Sequence, residues 1–109
     1  MINSLSIYKL LSDETRLRIL VLLYLDELCV CQLSGIIGAP QPRISKNLSK
    51  LRDLDLVQDK RSEKFVFYTL KKANPLLLIN LAYIVENKAH YPEISADINQ
   101  LKTKSTFTQ

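Results

Sequence analysis

Residues 41–70 read QPRISKNLSKLRDLDLVQDKRSEKFVFYTL, and the spacing of their apolar residues changes partway along. One face of an amphipathic helix is indicated by apolar residues at intervals of four, three and three, namely Ile44, Leu48, Leu51 and Leu54. From Leu56-Val57 onward the pattern is that of two strands, the second being Phe65 to Leu70, joined by a charged turn from Asp59 to Lys64. A helix followed by a β-hairpin predicts the recognition helix and wing of a winged helix-turn-helix domain.

The segments on either side of this stretch are mostly helical in pattern. Leu5, Tyr8 and Leu11 form the stripe of a first helix, and Ser12 or Asp13 caps a second helix that begins at Glu14. A third helix runs from about Cys29 to Ile37 and ends at Gly38, and a last helix opens at Pro75. The fold class is therefore mainly α with a small β-hairpin, comprising about five helices and a two-stranded wing.

The chain of 109 residues has the length of one domain. We expect residues 1–90 to form the DNA-binding and dimerisation domain, and residues 91–109 to be a polar C-terminal tail, either a short helix or disordered. The apolar runs are too short to span a bilayer, and the first residues lack the pattern of a signal peptide. These features predict a cytoplasmic protein.

The last helix is apolar around nearly its whole circumference, from Leu76 to Val85. Such a helix must be covered on more than one side, and a chain of this size has little else to cover it with. We therefore expect a symmetric homodimer in which helices one and five meet across the two-fold axis. The predicted contact residues are Leu5, Tyr8, Leu77, Leu81 and Ile84.

Most of the chain's net charge of +4 lies between Gln41 and Lys64, where seven basic residues outnumber four acidic ones. Amides and hydroxyls near the start of a helix can contact base edges in a major groove, while lysines and arginines neutralise phosphates. Double-stranded operator DNA is therefore the predicted partner. The predicted contact residues are Gln41, Pro42, Arg43, Ser45, Lys46, Ser49 and Lys50 on the helix and Lys60, Arg61 and Lys64 on the wing.

The two cysteines, Cys29 and Cys31, are separated by one residue. A disulfide between them would be strained and would close almost no loop, so thiols are expected in a reducing compartment. The pair allows three interpretations: a metal or metalloid site, a redox switch, or a role in packing alone.

Several motifs together resemble the ArsR/SmtB family of metal-responsive repressors, and the cysteine motif resembles its arsenic-sensing branch. The motifs are LSDETRLRIL at 11–20, ELCVCQL at 27–33, QPRISKNL at 41–48, Leu51-Arg52, Leu56-Val57 and FVFYTL at 65–70. The resemblance implies a dimeric repressor that leaves its operator when an inducer binds. It also implies that Cys29 and Cys31 hold trivalent arsenic or antimony, As(III) or Sb(III), as inducer, with no obligatory cofactor.

The sequence departs from that family at several positions. Ser34 stands where arsenic repressors commonly have a third cysteine, and Asp55 and Glu63 stand where the family usually has glycine. Residues two apart on a regular helix point about 200° from each other, so Cys29 and Cys31 can share an ion only if the start of helix three is irregular.

Other functions find less support in the residues. Glu86 and His90 lack the rest of the cluster that a zinc site between the last helices would need. No phosphate-binding loop or catalytic set is visible, so no enzymatic activity is expected. The alternatives to a metalloid-released repressor are a repressor with a thiol redox switch or without a small inducer, and a winged-helix module that docks onto proteins.

Overall fold

The computed structural model describes residues 3–108, which form six α-helices and a three-stranded sheet. The helices are α1 (Ser4–Leu11), α2 (Glu14–Leu25), α3 (Val30–Ile37), α4 (Gln41–Asp53), α5 (Pro75–Glu86) and α6 (Pro92–Gln100). The strands are β1 (Leu28–Cys29), β2 (Val57–Ser62) and β3 (Phe65–Leu70). A 3₁₀ turn covers Lys88–His90, and a kinked 3₁₀ segment, Leu101–Thr108, follows α6. The winged helix predicted from the sequence is confirmed, with one more α-helix and one more strand than expected.

Three helices begin at a side chain that accepts a hydrogen bond from the first turn. Asn3 accepts from the Ser6 amide at 2.9 Å, Asp13 from the Arg16 amide at 3.0 Å, and Asn74 from the Leu77 amide at 3.0 Å. Such caps satisfy amides that have no partner within the helix. Of the two caps predicted for α2, Asp13 is therefore the one used.

The sheet is antiparallel with the strand order β1-β3-β2. Strand β1 was not predicted, and it places Cys29 beside Phe67 of β3. The charged segment 59–64 was predicted to be a turn, which is wrong, because β2 continues to Ser62. Polar side chains fit there because all of β2 after Val57 is exposed.

The turn at the tip of the wing has only two residues, Glu63 and Lys64, since Ser62 pairs with Phe65. Glu63 has φ 56° and Asp55, just before β2, has φ 63°. Both lie in the left-handed region that glycine adopts most easily. The two positions at which glycine was expected from the resemblance are thus the two non-glycine residues, among those that the structure describes, with a left-handed backbone.

The core lies between α2 and the elements around it. Ile19, Leu20 and Leu22 have no exposed surface or almost none. The predicted inward positions of α3 and α4 are buried at Leu33, Ile36, Ile37, Ile44, Leu48 and Leu51. The last predicted position, Leu54, is only half-buried, because α4 ends at Asp53.

The residues that α5 exposes to solvent differ from those predicted. Leu77 and Leu81, expected at a dimer interface, are fully buried within one chain, so that part of the prediction is wrong. The exposed apolar residues of α5 are instead Ile79 and Tyr83, at 68% and 59% exposure. Leu5 and Tyr8 of α1 are also exposed, at 72% and 53%, and Ile84 is half-buried.

Among the residues that the structure describes, no helix has the length and apolar character needed to cross a membrane.

The segment after residue 91 packs against α2 and α3. Asp97 of α6 is buried and accepts two hydrogen bonds from Arg18 of α2, at 2.7 Å from Nε and 2.8 Å from Nη2. These bonds raise the pKa of Arg18 above its ordinary value, so the guanidinium stays charged. Ile94 is buried beside them. The division of the chain at residue 91 stays a prediction, but the described part of the tail is ordered as α6 and the segment that follows it.

Leu101–Thr108 extends the contact along α3. Lys104 pairs with Asp26 at 2.6 Å, and the Lys104 carbonyl accepts from Gln32 Nε2 at 3.5 Å. The Phe107 ring lies directly against Gly35, so close that a Cβ at position 35 would overlap the ring. Gly35 is therefore a point of close approach between α3 and this segment.

Candidate nucleic-acid interface and thiol site

Helix α4 has one buried face and one exposed polar face. All the side chains that the sequence placed in a DNA interface on this helix are exposed: Gln41, Pro42, Arg43, Ser45, Lys46, Ser49 and Lys50. Pro42 lies in the first turn, where its missing amide hydrogen costs no helical bond. The buried stripe under this face fixes the helix on the core, so the polar face points to solvent as a unit.

The wing brings further basic side chains to the surface. Lys60, Arg61 and Lys64 are all exposed. Lys60 and Arg61 are neighbours on β2, so their side chains leave opposite faces of the sheet. Only one of these two residues can therefore contact the backbone of a duplex that lies along one face of the wing. Arg52 of α4 pairs with Asp59 of β2 at 3.3 Å, which links the helix to the wing.

The two thiols lie where β1 passes into α3. Cys29 is buried in extended backbone (φ −95°, ψ 171°) just before the helix, and Cys31 is half-buried in the first helical turn. The Cys29 amide donates to Gln32 Oε1 at 3.1 Å. Because Cys29 is outside the helix, the two side chains are not held on opposite faces of a regular turn.

Both cysteines line one groove of about 280 Å³ between α3 and the wing. The other lining residues are Val30, Lys64, Phe65, Val66 and Tyr68. A soft ion in this groove would meet thiol sulfur on one side and apolar or aromatic surface on the other. Within residues 3–108, no three His, Cys, Asp or Glu side chains gather into a cluster able to hold a metal ion.

Ser34 has a structural role in the turn between α3 and α4. Its hydroxyl donates to the Ala39 carbonyl at 2.5 Å, across Gly38, whose φ is 78°. The Ser34 hydroxyl therefore stabilises the turn between the two helices.

The residues considered for a zinc site lie near the end of α5. Glu86 is exposed in α5, and His90 is exposed in the 3₁₀ turn that follows.

Two glutamines near the thiols were not connected with them by sequence reasoning. Gln32 accepts from the Cys29 amide and donates to the Lys104 carbonyl, and Gln41 Nε2 lies 3.6 Å from Cys31 Sγ. Gln41 was predicted as a DNA contact alone. Its distance of ten residues from Cys31 matches no local helical or strand spacing, so only the α3–α4 packing brings the two together.

Known proteins with similar sequences and folds are transcription regulators. The family described as "Bacterial regulatory protein, arsR family" matches residues 13–59, from the cap of α2 into β2. The arsenical resistance operon repressor of Escherichia coli is 43% identical over 72 residues, which are 65% of this chain and 62% of that protein. The chain spans less than two thirds of the length of the first curated relatives that it matches, from 55% to 66%.

Solved structures agree with this relationship. The transcriptional repressor BigR from Xylella fastidiosa superposes with a TM-score of 0.62 and 34% identity, covering 72% of this chain and 81% of BigR. The AntR antimony-specific transcriptional repressor superposes with a TM-score of 0.65 and 26% identity, covering 79% of this chain and 78% of AntR. The chain belongs to the ArsR family of bacterial regulatory proteins.

Proposed function

We propose that this protein is a homodimeric transcriptional repressor that binds operator DNA and is released by a thiophilic metalloid held between Cys29 and Cys31. The observation that carries the proposal is that both cysteines line one groove and that Cys31 also contacts Gln41, the first residue of helix α4. In this proposal the protein acts by binding DNA and the metalloid, and it catalyses no reaction. We expect it to act in the cytoplasm, where thiols stay reduced.

The exposed face of α4 supports DNA binding through the major groove. Gln41 and Ser45 lie in the first turns, where side chains reach base edges, and Lys46 and Lys50 lie where phosphates pass. On the wing, Lys64 and one of Lys60 and Arg61 would lie along the backbone. A protein-docking module would not need a basic helix face of this kind.

A dimer is supported by the apolar surface that α1 and α5 leave exposed side by side. This surface consists of Leu5, Tyr8, Ile79 and Tyr83, and Ile84 lies half-buried in the same helix. Winged-helix repressors of the ArsR family bind operator DNA and are typically dimeric. A second copy that covers this surface would place two α4 helices at a fixed separation, as two half-sites of an operator require.

The thiol pair supports an inducer of the arsenic or antimony type. Thiolate sulfur prefers thiophilic ions over hard cations such as Mg²⁺. When As(OH)₃ binds, each thiol gives its proton to a leaving hydroxide, one water departs per thiol, and a sulfur–arsenic bond forms. The third arsenic ligand then stays a hydroxide or becomes a thiol from solution. Two relatives with names that refer to arsenic and antimony support this ligand class.

Release from the operator is best tested by titration of the reduced protein on a selected operator duplex. Arsenite, antimonyl tartrate, Cd²⁺, Zn²⁺ and an oxidant are added separately, and fluorescence anisotropy gives the bound fraction. We expect arsenite and antimony to release the wild type, and the Cys29→Ser/Cys31→Ser variant to stay bound. The matched control is Ser34→Ala, which removes the bond to Ala39 but no thiol and should still be released.

The other outcomes assign the thiols differently. Release by the oxidant alone would make the pair a redox switch, for which the shared groove is the structural basis. Release of the double serine variant by arsenite would show that the metalloid acts elsewhere. Binding with a flat salt dependence, or none at all to duplex DNA, would favour a protein-docking module, because each neutralised phosphate steepens the dependence of affinity on salt.

A further inference from the structure

Gln41 stands at the meeting point of the thiol site and the DNA-facing helix. It is the first residue of α4, and its side chain turns back toward α3 so that Nε2 donates to Cys31 Sγ over 3.6 Å. An amide held by its nitrogen leaves its oxygen directed away from the sulfur. The same residue thus contacts the proposed inducer site and belongs to the proposed base-reading set.

We infer that Gln41 is a positioning residue that transmits occupation of Cys31 to the start of α4. The inference rests on the proposed function and adds the route by which release occurs. When the Cys31 thiol exchanges its proton for a bond to a metalloid, the metalloid and its remaining ligands cover the sulfur. The Gln41 amide then loses its acceptor and is displaced from α3.

The start of α4 has few other bonds to hold it in place. The Pro40 carbonyl accepts from the Arg43 amide at 3.0 Å and the Ile44 amide at 3.2 Å, and Pro42 has no amide hydrogen to offer. The contact between Gln41 and Cys31 therefore adds to the packing of the buried Ile44 in fixing the first turn. Loss of one hydrogen bond changes an equilibrium constant roughly fivefold. Two protomers acting on one operator would give about 25-fold.

The turn before α4 is held by a hydrogen bond that does not involve the thiols. Ser34 donates to the Ala39 carbonyl, and neither group touches Cys31 in the hydrogen bonds of the described residues. A metalloid on Cys31 would thus leave the path of the turn intact and act on the first helical turn alone. This separation makes Gln41 the residue to change.

The test compares the wild type with Gln41→Leu, which keeps the bulk but removes the donor, and with Ser45→Ala as the matched control. Ser45 is exposed one turn further along α4 and belongs to the same proposed DNA-facing set, and it is Gln41, not Ser45, whose side chain bonds to Cys31. For each protein, operator affinity is measured with and without saturating arsenite or antimonyl tartrate. The quantity compared is the ratio of these two affinities, so each variant supplies its own reference.

We expect the ratio for Gln41→Leu to be smaller than that for the wild type by about fivefold per protomer, and the ratio for Ser45→Ala to be unchanged. Equal ratios in the wild type and Gln41→Leu would overturn the role of Gln41 and leave the proposed function standing. A wild type that neither compound releases would overturn the proposed function, and this inference with it.

If Gln41→Leu binds no operator, amide hydrogen exchange tests the role of Gln41 without DNA. In the wild type without DNA, arsenite should speed exchange of the Arg43 and Ile44 amides, which close the first turn on Pro40. In Gln41→Leu these amides should exchange fast already, and arsenite should add nothing. An equal increase in both proteins would overturn the inference.

Discussion

Replacement of Asp97 by asparagine should destabilise the protein by about 3 kcal/mol. Arg18 binds Asp97 through two hydrogen bonds of 2.7 and 2.8 Å, and the two side chains are only 15% and 2% exposed. Removing one partner of a buried ion pair costs about 3–5 kcal/mol, because the other charge is left without compensation. The lower end applies here, since Arg18 keeps the Ile37 carbonyl at 3.2 Å and the Glu14 carboxylate at 3.5 Å.

The loss is measured by urea unfolding of Asp97→Asn and the wild type at the same protein concentration, because a dimer's stability depends on concentration. In thermal unfolding the midpoint should fall by about 12 °C, at about 4 °C per kcal/mol for a domain of this size. Glu14→Gln is the control. Glu14 is mostly exposed, so its loss should cost less than about 1 kcal/mol.

A second variant separates loss of the charge pair from general damage to α6. Because apolar residues can replace a buried ion pair at little cost, Arg18→Met/Asp97→Leu should regain most of the lost stability. If Asp97→Asn is no less stable than Glu14→Gln, the pair is not formed and α6 does not pack on α2 as described.

Three further variants test the wing, the exposed polar face of α4 and the apolar surface of α5. Lys46→Ala should weaken binding to every duplex and reduce the steepness of log affinity against log salt by about 1 per protomer, whereas the control Lys88→Ala, on the 3₁₀ turn, should leave this slope unchanged. An unchanged slope in Lys46→Ala would place α4 outside the DNA interface. Glu63→Gly should raise the free energy of unfolding by about 0.5–1 kcal/mol in urea titrations, because φ is 56° there; a loss of stability would contradict this reasoning. Ile79→Asp should be a folded monomer by light scattering, whereas Leu81→Asp, in the core, should not fold. A dimeric Ile79→Asp would show that the dimer interface does not include this face of α5.

The elements with a strong period were predictable from the sequence. The buried stripe of α4 from Ile44 to Leu51 follows from its spacing, and the end of α3 follows from Gly38, where φ is 78°. Asp13 was one of two residues named as the cap of α2. In each case the structure is set by neighbours a few residues away, and local spacing carries that information.

The features that the sequence did not reveal depend on distant parts of the chain. Strand β1 has two residues, too few for any period, and exists because Leu28 pairs with Tyr68. Leu81 and Ile79 are both apolar residues of a helix that is apolar all round, so spacing could not tell which faces the core. Asp97 reads as a solvent residue in a polar tail until Arg18, 79 residues earlier, is placed beside it.

The contact between Gly35 and Phe107 restricts the order in which this sequence can change. Alanine in the middle of a helix is favoured over glycine by roughly 1 kcal/mol, yet a Cβ at position 35 would overlap the Phe107 ring. Alanine at 35 therefore requires the Phe107 ring to be lost or displaced, and the ring can keep its present position only while residue 35 has no side chain. The two positions are 72 residues apart, yet a change at either one limits which side chains the other can accept.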